Sequence, residues 1–307
     1  MTFLTALLPV IILVGLGQLL ARWQIIAADG WLAIDQICYR VLFPALIVVT
    51  LARAPFDHAP WQVMGVLFLT QLGMGAIGLL ALPLMHVSQK YTRPAVGSII
   101  QSNVRWNTFI ALSISGSLYG EAGLALIAIA AAAMIPTANI LSIYAFIYFG
   151  ETAHGQQPKP IQALAGNPLV IACTIGAALN ITGLTPSGPL KEALDLLAAG
   201  SIGLGLLAAG AGINLPALWQ SGARTALWSA VRLIFMPLIA LALGLLMDLD
   251  SLQLACIVIA TGVPTAVNGF ILSRQLGGDA TLSANLIAVQ TVFSMITLPL
   301  IFWLIPS

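Results

Sequence analysis

The sequence predicts an all-α integral membrane protein of ten transmembrane helices, and three observations carry that expectation. Of the 307 residues, 60% are hydrophobic and only 7% are charged, against about 25% charged in a soluble domain. The mean hydropathy of +1.02 leaves too little polar surface to coat a globule. The apolar residues also fall into runs of about 20, the length that crosses a hydrocarbon core. Lipid offers no hydrogen-bond partners, so backbone groups pair within each helix and no sheet is expected.

Breaks at Gly, Pro and charge clusters delimit the spans in order. Span 1 (3–21) begins Phe-Leu-Thr-Ala-Leu-Leu-Pro; no basic residue precedes Arg22, so it reads as a retained helix rather than a cleaved leader. Span 2 (31–51) contains Cys38 and Arg40, and span 3 (61–86) opens at Trp61-Gln62. Span 4 (94–115) is polar at its middle, and span 5 (122–149) follows Gly120-Glu121. The longest polar loop, Glu151 to Asn167, contains Gln-Gln-Pro-Lys-Pro and reads as a linker. Spans 6 (165–182), 7 (190–212), 8 (223–247), 9 (251–272) and 10 (280–304) follow; spans 4, 7 and 9 are the least apolar.

With the N-terminus outside, the inner segments hold Arg22, Lys90, Arg93, Lys159, Arg224 and Arg274, and the outer ones only Arg53 and Lys191. That bias satisfies the positive-inside rule and puts both termini on the non-cytoplasmic side.

The two halves resemble each other. At an offset of 158, Trp61-Gln62 meets Trp219-Gln220, Gly30 and Leu32 meet Gly188 and Leu190, and Gly120-Glu121-Ala122 meets Gly278-Asp279-Ala280. The expected organisation is a five-helix repeat over 1–150, a cytoplasmic linker over 151–164, and a second repeat over 165–307. Five is odd, so the second repeat starts on the opposite side of the membrane and is inverted. Inverted repeats are the usual build of secondary transporters, whose substrates bind at discontinuous helices near the midplane.

Other function classes find little support. A net charge of +1 without basic clusters argues against nucleic acid. Cys38, Cys173 and Cys256 lie in apolar runs with no metal-ligand spacing. His58, His86 and His154 sit near span ends, and no paired intramembrane carboxylates offer acid–base work, so no enzyme, metal site or cofactor is expected.

Eight of the eleven Lys and Arg residues lie in loops or near span ends; the other three, Arg40, Arg105 and Arg232, fall inside spans. A charge there is expensive and marks a cavity or a partner. Arg40 has Asp35 nearby, and Arg232 has Asp195 and Asp248 as possible partners, so these two are secondary candidates. Arg105 lies in the patch Gln101-Ser-Asn-Val-Arg-Trp-Asn-Thr108, more polar than helix packing needs. The matching stretch of span 9, Thr261-Gly-Val-Pro-Thr-Ala-Val-Asn-Gly269, carries a helix-breaking proline. At the repeat offset Trp106-Asn107 aligns with Pro264-Thr265. Corresponding interrupted segments point to a transporter's binding site, so the expected substrate contacts are Asn103, Arg105, Asn107, Pro264, Thr265 and Asn268.

These stretches resemble a family. Asn103-Val-Arg-Trp-Asn-Thr-Phe-Ile with Leu118-Tyr-Gly-Glu-Ala-Gly, Tyr39-Arg-Val-Leu-Phe-Pro-Ala-Leu, Asn167-Pro-Leu-Val, Arg232-Leu-Ile-Phe-Met-Pro-Leu and Val263-Pro-Thr-Ala-Val-Asn, with the following Leu276-Gly-Gly-Asp, are similar to the auxin efflux carriers. The likeness is to a bacterial member related to the plant PIN-FORMED transporters and runs in order along nearly the whole chain. It implies two inverted five-helix repeats with helices 4 and 9 broken and crossing at the substrate site. It also implies a scaffold of helices 1, 2, 6 and 7 beside a moving domain of helices 3–5 and 8–10, and hints at a homodimer in lipid. The family's crossover polar groups map onto Asn107 and Thr265, and its cargo suggests auxin-like acids, malate or malonate. Plant members have proline before the helix-4 Asn, where this chain has Trp106.

The resulting expectation is a secondary carrier, an exporter, of small organic anions across a bacterial cytoplasmic membrane. A sodium-coupled symporter of the bile-acid type and an anion channel are the alternatives.

Overall fold

The computed structural model describes residues 3–53, 61–151, 165–213, 216, 222–267 and 269–305. The linker expected over 151–164 falls almost wholly outside them, as does Asn268. Among the described residues every regular element is helical. In chain order these are α1 (Phe3–Arg22), α2 (Ala28–Ile37), α3 (Phe43–Arg53), α4 (Trp61–Gly78), α5 (Ala81–Val87), α6 (Arg93–Val104) and α7 (Thr108–Phe149). Then come α8 (Pro168–Ile181), α9 (Gly188–Ala211), α10 (Ala223–Ala230), α11 (Met236–Leu246), α12 (Ser251–Gly262), α13 (Gly269–Gln275) and α14 (Ala280–Phe302).

Six helical stretches among the described residues are long and apolar enough to cross a membrane: Ala28–Arg53, Trp61–Val87, Arg93–Phe149, Gly188–Ala211, Ala223–Leu246 and Ala280–Phe302. Leu7–Arg22, Pro168–Ile181 and Ser251–Gly262 are shorter apolar helices. Two of the long stretches pass through a π turn, Cys38–Leu42 between α2 and α3 and Val231–Phe235 between α10 and α11. In each, the closing main-chain N–H reaches five residues back, Phe43 to Cys38 and Met236 to Val231. A proline stands immediately after, Pro44 and Pro237. Proline lacks the N–H that would close a normal turn, and the helix widens by one residue just before it. α7 is likewise two helices in one: Gly120 (φ 57°, ψ −140°) turns the chain where the sequence separates spans 4 and 5. That left-handed φ suits glycine.

The residues cluster into two compact units. Unit 1 holds residues 1–61, 108–132 and 165–213; unit 2 holds 62–107, 133–164 and 214–307. The units interleave along the chain and so cut across its sequential halves. Unit 1 takes spans 1, 2, 6 and 7, the set that the resemblance groups together, but it also takes residues 108–132. The cause lies at Phe109. Its ring packs on Phe43 at 4.5 Å between centroids, and a Cβ on Gly205 would collide with it.

Within unit 1, α1 and α9 approach backbone to backbone. A Cβ on Gly17 would strike the Leu207 carbonyl, and one on Gly210 would strike that of Val14. Small residues permit such contact, which is how helices associate in lipid. α8 packs on α3 through Gly176, and Asn180 Nδ2 closes the end of α3 by donating to the carbonyls of Leu51 (2.9 Å) and Ala52 (3.2 Å). Asp195 accepts from Arg53 (2.9 Å) and Lys191 (3.1 Å).

Within unit 2, one apolar cluster joins Ala95, Val96, Ile99 and Ile100 of α6 to Ala145 and Phe149 of α7, Trp228 of α10, and Leu282 and Leu286 of α14. It fixes α6, half of span 4, against the helices that flank span 9.

Candidate functional site

Span 4 is interrupted. α6 stops at Val104, Arg105 takes an extended conformation (φ −81°, ψ 156°), and helix resumes at Thr108. Span 9 is interrupted too. α12 stops at Gly262, Val263 is extended (φ −67°, ψ 154°), and α13 begins at Gly269. In span 9 Pro264 lacks the N–H that would extend α12. In span 4 no proline stands at the break, which forms nonetheless.

A broken helix leaves main-chain groups without their usual partners, and lipid cannot satisfy them. In unit 2 several protein groups do so. The Asn107 N–H donates to the Pro264 carbonyl at 2.8 Å, so the two interruptions pair with each other. Gln71 of α4 donates Nε2 to the carbonyls of Val104 (2.8 Å) and Met134 (3.2 Å). Arg232, fully buried, donates Nε and Nη2 to the Arg105 carbonyl at 3.3 and 3.2 Å, and Nη1 to the Thr261 carbonyl. The Thr265 N–H donates to Gln290 Oε1 at 3.0 Å.

Around these bonds lies a buried polar cluster. Gln101, Ser102, Asn103 and Thr265 are fully buried, and Asn107 nearly so. The amides of Gln101 and Asn103, the hydroxyls of Ser102 and Thr265 and Nε2 of Gln290 have no hydrogen-bond partner among the described residues. An unsatisfied buried polar group costs about 1–3 kcal/mol; such groups in a membrane span mark substrate pathways. The Gln101 amide lies against α13, where a Cβ on Gly269 would collide with it. Arg105 is half-buried and donates Nη1 to Asn139 Oδ1 at 3.2 Å. Neither 101–108 nor 261–269 contains an acidic residue. The cluster therefore offers amides, hydroxyls and one guanidinium, a set suited to a small anion rather than to proton transfer.

Of the residues singled out from the sequence, Asn107 and Pro264 are hydrogen-bonded, and Thr265 follows directly in the same break. Asn103 is buried in the last turn of α6, directly before the span 4 break, and Arg105 lies in the break. Asn268 is outside the described residues. Arg40 is exposed in the π turn of unit 1 and is not part of this cluster. Arg232 bonds to carbonyls at the breaks rather than to Asp195, which Arg53 and Lys191 engage. Three contributors escaped the sequence reading: Gln71, Asn139 and Gln290. Each is an amide with a threonine one or two residues away in an otherwise apolar stretch of a span, the signal that could have found them.

Over residues 2–302 the chain matches the membrane transport protein family. It belongs to that family, the one of the auxin efflux carriers. It is 23% identical over 313 residues, 97% of this chain and 96% of the relative, to the uncharacterized transporter YfdV of Escherichia coli K12. An uncharacterized transporter of Methanothermobacter thermautotrophicus is 22% identical over 296 residues, 95% of each chain. A Rhizobium meliloti protein named "Putative malonate transporter" is 27% identical over 203 residues, 62% of this chain and 63% of that one. This chain is thus an integral membrane transport protein and not an enzyme.

Proposed function

We propose that this auxin efflux carrier family member moves a small organic anion, a mono- or dicarboxylate, through alternating exposure of the broken spans 4 and 9. The observation that carries this reading is the Asn107–Pro264 hydrogen bond, which joins the two breaks amid unpartnered amides and beside Arg105. A carboxylate in this cluster would take a bidentate pair from Arg105 and further bonds from Asn103, Asn107, Thr265 and Asn268. The malonate named for one relative falls in the same chemical class.

The membrane arrangement belongs to the same proposal. Ten spans form two inverted five-helix repeats over 1–150 and 165–307 around a linker at 151–164. Both termini lie on the non-cytoplasmic side of a bacterial inner membrane, transport runs outward, and the protein is a homodimer. The basic bias of the loops and the correspondence of the two breaks support this.

The test is uptake and efflux of labelled malonate, malate and indole-3-acetate by the purified protein in liposomes, with thermal melting against the same acids. A bound ligand stabilises the fold according to its affinity. Saturable movement of one acid, with a matching rise in melting temperature, is expected. Movement of none, with no shift, defeats the proposal.

A further inference from the structure

We infer that Arg232 is a positioning residue that serves the two helix breaks as a built-in cation, standing where a dissolved alkali ion would otherwise sit, so that transport by this chain runs without sodium. This rests on the carrier reading above.

The argument begins with what Arg232 touches. Its guanidinium is fully buried, and among the described residues its contacts are main-chain carbonyls with no carboxylate paired to it. The carbonyls are those of Arg105, one residue past the end of α6, and of Thr261, in the last turn of α12. The C-terminal end of a helix carries about half a negative charge. Two such ends face one guanidinium, so the local charge sums to about zero. That balance accounts for a buried cation without an acidic partner, which would otherwise be costly in a membrane.

The same arrangement has a known use. In carriers with discontinuous helices, unwound carbonyls and half-helix C-termini coordinate the coupling ion. Here those acceptors are engaged by a side chain. The guanidinium is tethered on the π turn Val231–Phe235, held before Pro237. Its three carbonyl bonds tie the span 4 break to the span 9 break, and so set Arg105 and Asn107 relative to Thr265.

Four proteins decide the matter: wild type, Arg232→Ala, Arg232→Lys and Arg232→Gln. In liposomes, wild-type malonate flux should be the same whether the salt is sodium or choline chloride; a tenfold fall in choline overturns the inference. Malonate affinity of Arg232→Ala should fall by roughly tenfold or more, as expected for lost hydrogen bonds to a charged group. Millimolar methylguanidinium should restore it while leaving wild type unchanged. Affinity at the wild-type level in Arg232→Ala without any added cation overturns the inference. If the alanine protein does not fold, Lys and Gln replace it: Arg232→Lys should retain transport, and Arg232→Gln should need an added cation. Equal, cation-independent transport by both overturns it. If wild type moves no acid, the carrier reading has failed, and melting without ligand still reads the clasp. Methylguanidinium should then raise the melting temperature of Arg232→Ala or, failing that, of Arg232→Gln, and not of wild type; no difference from wild type counts against Arg232.

Discussion

The main-chain N–H of Asn107 donates to the main-chain carbonyl of Pro264 at 2.8 Å. Two helix breaks, distant in sequence, thereby satisfy one another where solvent and lipid could not. The bond involves no side chain, so it constrains residues 107 and 264 by backbone course alone. It sets the main chain of the span 4 break against that of the span 9 break within unit 2.

Arg105→Ala should weaken carboxylate binding with little loss of folded protein. The guanidinium's bond to Asn139 ends on a neutral amide, so the loss of that bond strands no charge. Arg105→Lys should recover part of the affinity, since an ammonium cannot form the bidentate pair. Melting without ligand and ligand affinity are measured on the same three proteins. A stable Arg105→Ala protein with unchanged affinity would refute the role.

Gln71→Leu should act in the opposite way. Gln71 Nε2 serves the Val104 carbonyl at the end of α6 and the Met134 carbonyl in α7. Leucine fills similar space and leaves the Val104 carbonyl without this donor, a loss of about 1–3 kcal/mol. The expected outcome is a lower melting temperature in detergent before any ligand is added. A protein as stable as wild type would show that the span 4 break does not depend on Gln71.

Much of this was legible in the sequence because the relevant physics is local. Runs of about 20 apolar residues, a proline within span 9 and a polar patch within span 4 announce themselves without a fold. Gly120 and Gly277, in left-handed conformations, fall at the span junctions that the sequence marks. What was hidden depends on long-range packing. Nothing near Arg232 in the chain says that its donors meet Arg105 and Thr261, and the acidic residues at 195 and 248 suggested ion pairs instead. Nor does sequence reveal that residues 108–132 cluster with spans 1, 2, 6 and 7, since that follows from Phe109 meeting Phe43 and Gly205.

Close packing of α1 and α9 gives a test confined to unit 1. Gly17→Ala and Gly210→Ala each place a methyl against a main-chain carbonyl, at Leu207 and Val14. The backbone must separate, at a cost of about 1–3 kcal/mol. Gly15→Ala is the control: nothing lies within 4 Å of its Cβ position, and alanine favours helix. Melting temperatures should fall for the first two variants and hold for the third. Equal behaviour of all three would contradict the packing of these helices.

Trp106→Pro tests how span 4 breaks without a proline at the break. Arg105 already has ψ 156°, within the extended region that a following proline demands. The Trp106 N–H donates to none of the described residues, so proline removes no hydrogen bond there. What the change does remove is a ring that is 4% exposed, and Trp→Ala losses run to about 3–5 kcal/mol. The informative comparison is therefore between Trp106→Pro and Trp106→Ala. Both should lose stability, and by amounts within about 1 kcal/mol of each other, because the preceding residue is already extended and no N–H bond is given up. Proline two residues earlier, as Val104→Pro, falls inside α6 and should cost about 3 kcal/mol more than Val104→Ala. Melting curves of these four variants distinguish a break already set by Gln71, Arg232 and Asn107 from one that relies on the tryptophan. Trp106→Pro far less stable than Trp106→Ala would place the break elsewhere.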